Sequence, residues 1–238
     1  MSVALITGAS SGIGLAATRL LARQGLTVVG VSRSGREGTI PIDVSTERGC
    51  HEAVNAARSE GQLTRLVLAA GVGSYMETDI GRQTTENWKT SMAIHLDSPF
   101  FTIREAWPDL KENGGRIVLV SSTAATSGAP ANSAYSAAKA GILGMMRSIA
   151  QDGAPYGVTC NAVLPGWVRS EMSEAHAAVD AERLGVSVDQ IWKERAAEYA
   201  AGRVVEADEV AAAIAFFCSE QSSGISGEEV RVALGGAW

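Results

Sequence analysis

The chain has 238 residues, a length that one α/β domain of ordinary size fills. Its 46% hydrophobic and 19% charged residues exclude a disordered chain. Twenty Lys+Arg against 26 Asp+Glu leave a net charge of −6, which excludes the cationic surplus that nucleic-acid and anionic-membrane binders need. Aromatic residues are only 5% while glycine occupies 26 positions, so the core is aliphatic and many backbone positions are free to turn tightly or approach a ligand. Cys50, Cys160 and Cys218 are widely spaced and form no C-x-x-C pair; plain thiols in a reducing compartment are expected, with neither a disulfide framework nor a metal site.

The first strand-like run, Val3–Ile6, follows the initiator Met with no basic leader, and no apolar run approaches the roughly 20 residues of a membrane span. A cytoplasmic protein is expected. Val3–Ile6 enters Thr7-Gly8-Ala9-Ser10-Ser11-Gly12-Ile13-Gly14 and then a helix candidate, Ile13–Gln24, striped by Ile13, Ala16, Ala17, Leu20 and Leu21 and ended by Gly25. Glycines at a strand-to-helix turn let backbone amides and a helix N-terminus face a pyrophosphate. The second run, Val28–Val31, closes on Ser32-Arg33. A dinucleotide site meets the adenosine ribose there, and an acid would bind the 2′-hydroxyl of NAD, whereas an Arg pairs a 2′-phosphate. Arg33 is present, Arg36 is close by and no carboxylate is, so NADP is preferred, with NAD the alternative.

Only seven residues separate Val31 from the short strand candidate Thr39–Ile42, so a loop replaces a crossover helix. Further runs follow at Leu66–Ala70, Ile117–Val120 and Val158–Val163, with a weaker one at Val230–Leu234; helices are expected over Thr84–Lys111, Ser133–Asp152 and Ala207–Ser219. Strands without polar alternation are buried on both faces, and their alternation with helices predicts a Rossmann-type, doubly wound parallel sheet of about seven strands. Residues 1–238 read as one domain. The polar segment Arg169–Arg203, in two helical pieces, is a lid candidate over the carboxyl ends of the strands.

Tyr135 and Lys139 stand at i and i+4 on one helical face. A phenol of pKa about 10 is a poor acid or base at neutral pH, and a cation one turn away favours its phenolate. Ser122, just past the apolar strand Ile117–Val120, can donate to the same substrate oxygen. Ser121 reads as a strand-end residue.

In these features the sequence resembles the short-chain dehydrogenase/reductase family in its compact form. The residues that carry the resemblance are Thr7–Gly14, Asp43-Val44, Ala70-Gly71, Ser122, Tyr135/Lys139 and Pro165-Gly166-Trp167-Val168-Arg169-Ser170, in order over essentially the whole chain. The resemblance implies a hydride-transfer enzyme. Tyr135 would be the acid/base, Lys139 would tune it and hold the nicotinamide ribose, and Ser122 would orient the carbonyl. The cofactor would lie on Gly8, Ser10, Ser11, Gly12, Ile13, Gly14, Arg33, Asp43, Val44, Ala69, Ala70, Gly71, Pro165, Val168 and Ser170.

Three positions depart from the family pattern. His95 stands where an Asn usually holds a relay water, and an imidazole of pKa near 6.5 can exchange protons directly. Leu68-Ala69-Ala70-Gly71 replaces Asn-Asn-Ala-Gly and loses two bracing amides. Ala233-Leu234-Gly235-Gly236 replaces Val-Asp-Gly-Gly, and apolar Leu234 and Trp238 hint at a subunit contact in a dimer or the homotetramer common among relatives. Trp167, Arg169, Met172, His176, Trp192, Arg195 and Tyr199 are the lid side chains in reach of a substrate; the stripe of Trp192 and Tyr199 suits core, and both arginines suit solvated salt pairs. The expected activity is NADP(H)-dependent interconversion of a ketone and a secondary alcohol, with 3-oxoacyl thioesters as leading substrates. The alternatives are an NAD-dependent dehydrogenase of a small hydroxy acid or polyol, 3-hydroxybutyrate dehydrogenase-like, and a non-catalytic dinucleotide sensor.

Overall fold

The computed structural model describes residues 1–72 and 79–236, so the expectation attached to Trp238 lies outside the described residues. The chain runs β1 (Ser2–Thr7), α1 (Gly12–Arg23), β2 (Thr27–Ser32), β3 (Ile40–Pro41), α2 (Glu47–Glu60), β4 (Gln62–Leu68), α3 (Thr85–Met92), α4 (Ser98–Asn113) and β5 (Arg116–Val120). It continues through α5 (Ala124–Ser127), α6 (Ser133–Gly153), β6 (Thr159–Pro165), β7 (Val168–Arg169), α7 (Glu171–Leu184), α8 (Val188–Ala197), β8 (Val205–Glu206), α9 (Ala207–Cys218) and β9 (Glu229–Val232).

Seven strands form one parallel sheet in the order β3-β2-β1-β4-β5-β6-β9. The chain winds outward from β1 to β3, then returns to β4 on the other side of β1 and winds the opposite way. A crevice therefore opens between the carboxyl ends of β1 and β4, where doubly wound sheets bind ligands. The central strands bury both faces, with β5 and β6 buried throughout, which is why these segments read as unbroken aliphatic runs; β3 and β9, at the two edges of the sheet, are partly or wholly exposed.

One apolar cluster packs α2, α4 and α6 on one face of the sheet, through Val54, Ile103, Leu110 and Ile142 among others. The second packs α1 and α9 on the other, through Ala17, Leu21, Ile214 and Phe217. The expected helix at Ile13–Gln24 is α1, and Gly25 follows it at φ +91. Between β2 and β3 the chain makes only a single turn at Arg36–Gly38, as the short spacing requires. The helix α2 was not among the sequence expectations. Its segment is polar, and it is held by a Thr46 cap that accepts from Gly49 N and by a narrow buried stripe of Cys50, Ala53, Val54 and Ala57. Cys50, Cys160 and Cys218 are free thiols buried in the core.

The expected helix over Thr84–Lys111 is α3 and α4 joined by a π-turn at Ala93–Asp97. Pro99 explains the turn: it has no N–H to give the carbonyl of His95 four residues back, and its ring crowds that carbonyl. Ser98 N–H instead donates to Ala93 O. The wider turn carries His95 inward. Residues 169–203 form α7 and α8, which share a third apolar cluster of Ala177, Ala181, Ile191, Trp192 and Tyr199. Leu234 packs against the second and third clusters within its own chain. Among the described residues, no helix is long and apolar enough to cross a membrane.

Candidate active site

A cavity of about 920 Å³ lies at the carboxyl edge of the sheet. Every residue of the sequence-derived site lines it: the glycine loop, Arg33, Asp43, Val44, Ala69–Gly71, His95, Ser122, Tyr135, Lys139, Pro165, Val168 and Ser170.

The loop between β1 and α1 is folded tightly on itself. A Cβ on Gly14 would stand 2.2 Å from Gly8 O, and one on Gly8 would stand 2.8 Å from Ala70 Cα. Ser11 caps α1 without a side-chain hydrogen bond, so the first-turn amides keep their donors for an anion. Arg33 is exposed just past the end of β2 and, among the described residues, forms no hydrogen bond or ion pair. Asp43 accepts from Ser45 N at 3.0 Å and lies beside buried Val44. Where two amides are missing from residues 68–71, the Thr7 hydroxyl accepts from Ala70 N at 3.1 Å and braces β1 against β4.

On the other side, β5 and the start of α6 bring the polar group together. Ser121 is buried and donates to Lys139 O at 3.0 Å, a brace of strand on helix, as its strand-end reading expects. Ser122 accepts from Ala124 N at 3.1 Å and stands beside the Tyr135 hydroxyl. Lys139 is buried and its Nζ donates to Val120 O at 2.8 Å. Burial depresses Lys139 to about 8. Tyr135 departs from expectation: burial raises its pKa above the ordinary 10, with the Ser122 hydroxyl opposing. Lys139 Nζ is 5.6 Å from the ring centroid, and desolvation of the phenolate is the largest influence on the phenol.

His95 is 3% exposed, with Nε2 3.2 Å from Val72 O and, among the described residues, no partner for Nδ1. Burial first, and the Lys139 cation second, hold its pKa well below 6.5. The imidazole is neutral at physiological pH, which corrects the expectation of direct proton exchange near 6.5. Since a carbonyl only accepts, Nε2 carries the proton and Nδ1 is an acceptor.

From residues 169–203 and the turn before them, Trp167, Ser170, Met172, Ser173, His176, Asp180, Glu198 and Tyr199 line the cavity. Arg169, Trp192 and Arg195 stand behind them. Arg195 is not solvated, contrary to expectation: it is 4% exposed, 2.9 Å from Asp180 and stacked over Trp167 and Trp192 at 4.0 and 5.0 Å. Asp180 and Glu198 escaped sequence reasoning. Glu198 accepts from Trp167 Nε1 at 3.2 Å, and its acid is raised by burial. Its signal in the sequence was adjacency to Tyr199, whose hydroxyl accepts from Trp167 N at 2.5 Å and occupies space a Cβ on Gly166 would need.

A glycine loop at the switch point, with a Tyr-Lys pair and a serine across the same cavity, defines an α/β enzyme of the Rossmann class. A family model described as enoyl-(acyl carrier protein) reductase matches residues 8–236. The 3-oxoacyl-[acyl-carrier-protein] reductase FabG of Vibrio cholerae is 31% identical over 97% of this chain and 95% of its own. The D-beta-hydroxybutyrate dehydrogenase of Cupriavidus necator is 33% identical over 94% and 93%. Among solved structures, an actinorhodin polyketide ketoreductase variant with NADPH has a TM-score of 0.91 at 27% identity, covering 98% of this chain and 96% of that one. The chain belongs to the short-chain dehydrogenase/reductase family of oxidoreductases.

Proposed function

We propose that this protein interconverts a ketone and a secondary alcohol with NADP(H), and that 3-oxoacyl thioesters are its substrate class. The observation that carries this reading is the single cavity shared by Arg33, the glycine loop, Ser122, Tyr135 and Lys139. The cavity fits a dinucleotide: the loop is compact enough for close backbone approach, uncapped amides face the anion position, and Arg33 is uncommitted where a 2′-phosphate would lie.

A bound nicotinamide dinucleotide would supply or accept the hydride. In the reducing direction Tyr135 gives its phenolic proton to the carbonyl oxygen, and Ser122 donates a hydrogen bond to the same oxygen. Lys139 spends one N–H on Val120 O and keeps two for the nicotinamide ribose. His95, through the Nδ1 acceptor, holds a relay water on the Lys139 side. The elements at 169–203, with Trp167, Met172 and Tyr199, form the substrate lid of a single 1–238 domain. Exposed Trp88 and Phe100 on α3 and α4 suit a homo-oligomer, which light scattering measures.

The relatives support the substrate class through the names of the Vibrio reductase and the polyketide ketoreductase. A second reading, an NAD-linked dehydrogenase of a small hydroxy acid, is favoured by the Cupriavidus relative. The non-catalytic sensor is disfavoured by the convergence of Ser122, Tyr135 and Lys139. The test is a panel of 3-oxoacyl thioesters, small ketones and hydroxy acids with both cofactors, followed by the absorbance of reduced nicotinamide. Turnover of 3-oxoacyl thioesters with NADPH is expected; turnover confined to a hydroxy acid with NAD would replace this reading with the second. Arg33→Ala is expected to weaken NADPH binding by roughly tenfold or more while leaving NADH nearly unchanged, the loss of a charge-assisted phosphate contact.

A further inference from the structure

Arg36 and Glu171 lie 135 positions apart in the chain, yet their side chains meet: Nη2 is 2.6 Å from Oε2. Arg36 opens the turn between β2 and β3 and lines the cavity on the same side as Arg33 and Asp43. Glu171 is the first residue of α7 and follows Ser170, which lines the cavity and faces Gly12. The pair thus joins the adenosine side of the cavity to the first turn of the proposed lid. Glu37, the acid next to Arg36 in the chain, is paired with Arg19 at 2.9 Å.

Both members of the Arg36–Glu171 pair are more than half exposed. Exposed ion pairs are weak and exchange partners readily. A guanidinium binds a phosphate dianion through a bidentate fork more strongly than it binds one exposed carboxylate.

We propose that Glu171 competes with the ribose 2′-phosphate of the dinucleotide for Arg36, and that it thereby sets how strongly the enzyme discriminates NADP(H) from NAD(H). The inference rests on the reading above that a 2′-phosphate lies between Arg33 and the loop. Arg36 has two alternative partners, Glu171 and phosphate. NADPH must displace the carboxylate before it gains Arg36, whereas NADH leaves the pair intact.

The experiment measures dissociation constants of NADPH and NADH by titration of the full-length protein. Four forms are compared: wild type, Glu171→Gln, Arg36→Met and the double variant. Glu171→Gln is expected to tighten NADPH by about two- to fivefold, the scale of an exposed ion pair, with NADH unchanged. In the Arg36→Met background Glu171→Gln is expected to change neither constant, since its effect passes through Arg36. A mere helix-terminus role for Glu171 would move both cofactors together and leave their ratio fixed. Wild type that binds NADH as tightly as NADPH would overturn the cofactor reading and this inference together. A clear NADPH preference whose ratio is unmoved by Glu171→Gln, or an effect that persists without Arg36, would overturn this inference alone.

Discussion

His95 stands edge-on to Tyr135, their ring centroids 5.0 Å apart and their planes at 87°. The contact presents ring edge to π-face, a favourable arrangement for two aromatics. It also fixes the imidazole so that Nε2 meets Val72 O and Nδ1 is left as an acceptor beside the Tyr-Lys pair.

Because His95 is neutral in the folded protein and titrates near 6.5 when unfolded, the unfolded state binds the extra proton as pH falls below that value. The sign is loss of stability on the acid side: fully retained above about 6.5, it declines as pH falls toward the depressed folded value. His95→Asn is expected to remove this component, so that its denaturant midpoint falls less than that of wild type between pH 7.5 and 5. The same variant is expected to leave the shape of the pH–rate profile between 6 and 8 unchanged, since no imidazole proton moves there. A wild-type inflection near 6.5 that disappears in the variant would instead make His95 a proton donor.

Tyr135→Phe removes the only proposed proton donor to the carbonyl and keeps the ring that packs on His95. Turnover is expected to fall by roughly a thousandfold or more, within the range that general acid catalysis and electrostatic stabilisation supply together. Cofactor affinity is expected to stay within about twofold, a small change on the binding scale. Single-turnover kinetics and cofactor titration check the two halves separately. Retained turnover would place the acid elsewhere.

Lys139 is a cation that burial disfavours. Its pKa near 8 in the fold, against an ordinary 10.5, corresponds to on the order of 3 kcal/mol of destabilisation below pH 8. The hydrogen bond to Val120 O gives back about 1 kcal/mol. Lys139→Met is expected to abolish turnover and yet raise unfolding stability at pH 7 by about 2 kcal/mol. The sign reverses nothing as pH rises: from about 8 to 10.5 the unfolded state alone binds the proton, wild type regains stability, and the advantage of the variant shrinks. Denaturation at pH 7 and pH 10 measures it; a less stable variant at both would assign Lys139 a structural role.

Much of the architecture was legible because a parallel sheet covered on both faces must be written in unbroken aliphatic runs, and Val3–Ile6 and Ile117–Val120 are such runs. The glycine loop and the Tyr135–Lys139 spacing were legible for the same kind of reason: tight turns and helical faces are short-range constraints. α2 was obscured because its buried stripe is made of Ala, Cys and a single Val within a polar segment. The π-turn had a signal in Pro99, whose missing donor falls on His95, but a proline four positions beyond a histidine reads equally as a helix start. The raised pKa of Tyr135 was hidden because spacing places a cation near a phenol and says nothing of how dry the pair is. Arg195 misled for the converse reason: in sequence it sits among Glu and Lys, and only the tertiary fold brings Trp167 and Trp192 over its guanidinium.

Arg195 also gives the most direct handle on the proposed lid. It joins α7 to α8 by donating to Ser173 O at 3.2 Å and Asp180 at 2.9 Å, and it carries Trp167, which lines the cavity. Arg195→Ala leaves Asp180 paired with Arg183 at 2.7 Å, so the cost is lost stacking and packing more than a stranded charge. A destabilisation of about 2–3 kcal/mol is expected, from cation–π contact and buried aliphatic stem. With Trp167 no longer backed, substrate KM is expected to rise by roughly tenfold while cofactor affinity stays near wild type, since binding that does not differ between ground and transition states appears in KM. Arg195→Lys keeps the charge and loses the planar stack, and so is expected to fall between the two. Denaturation and steady-state kinetics of both variants check the order; a fall in kcat at constant KM would place Trp167 in the chemistry and not in substrate binding.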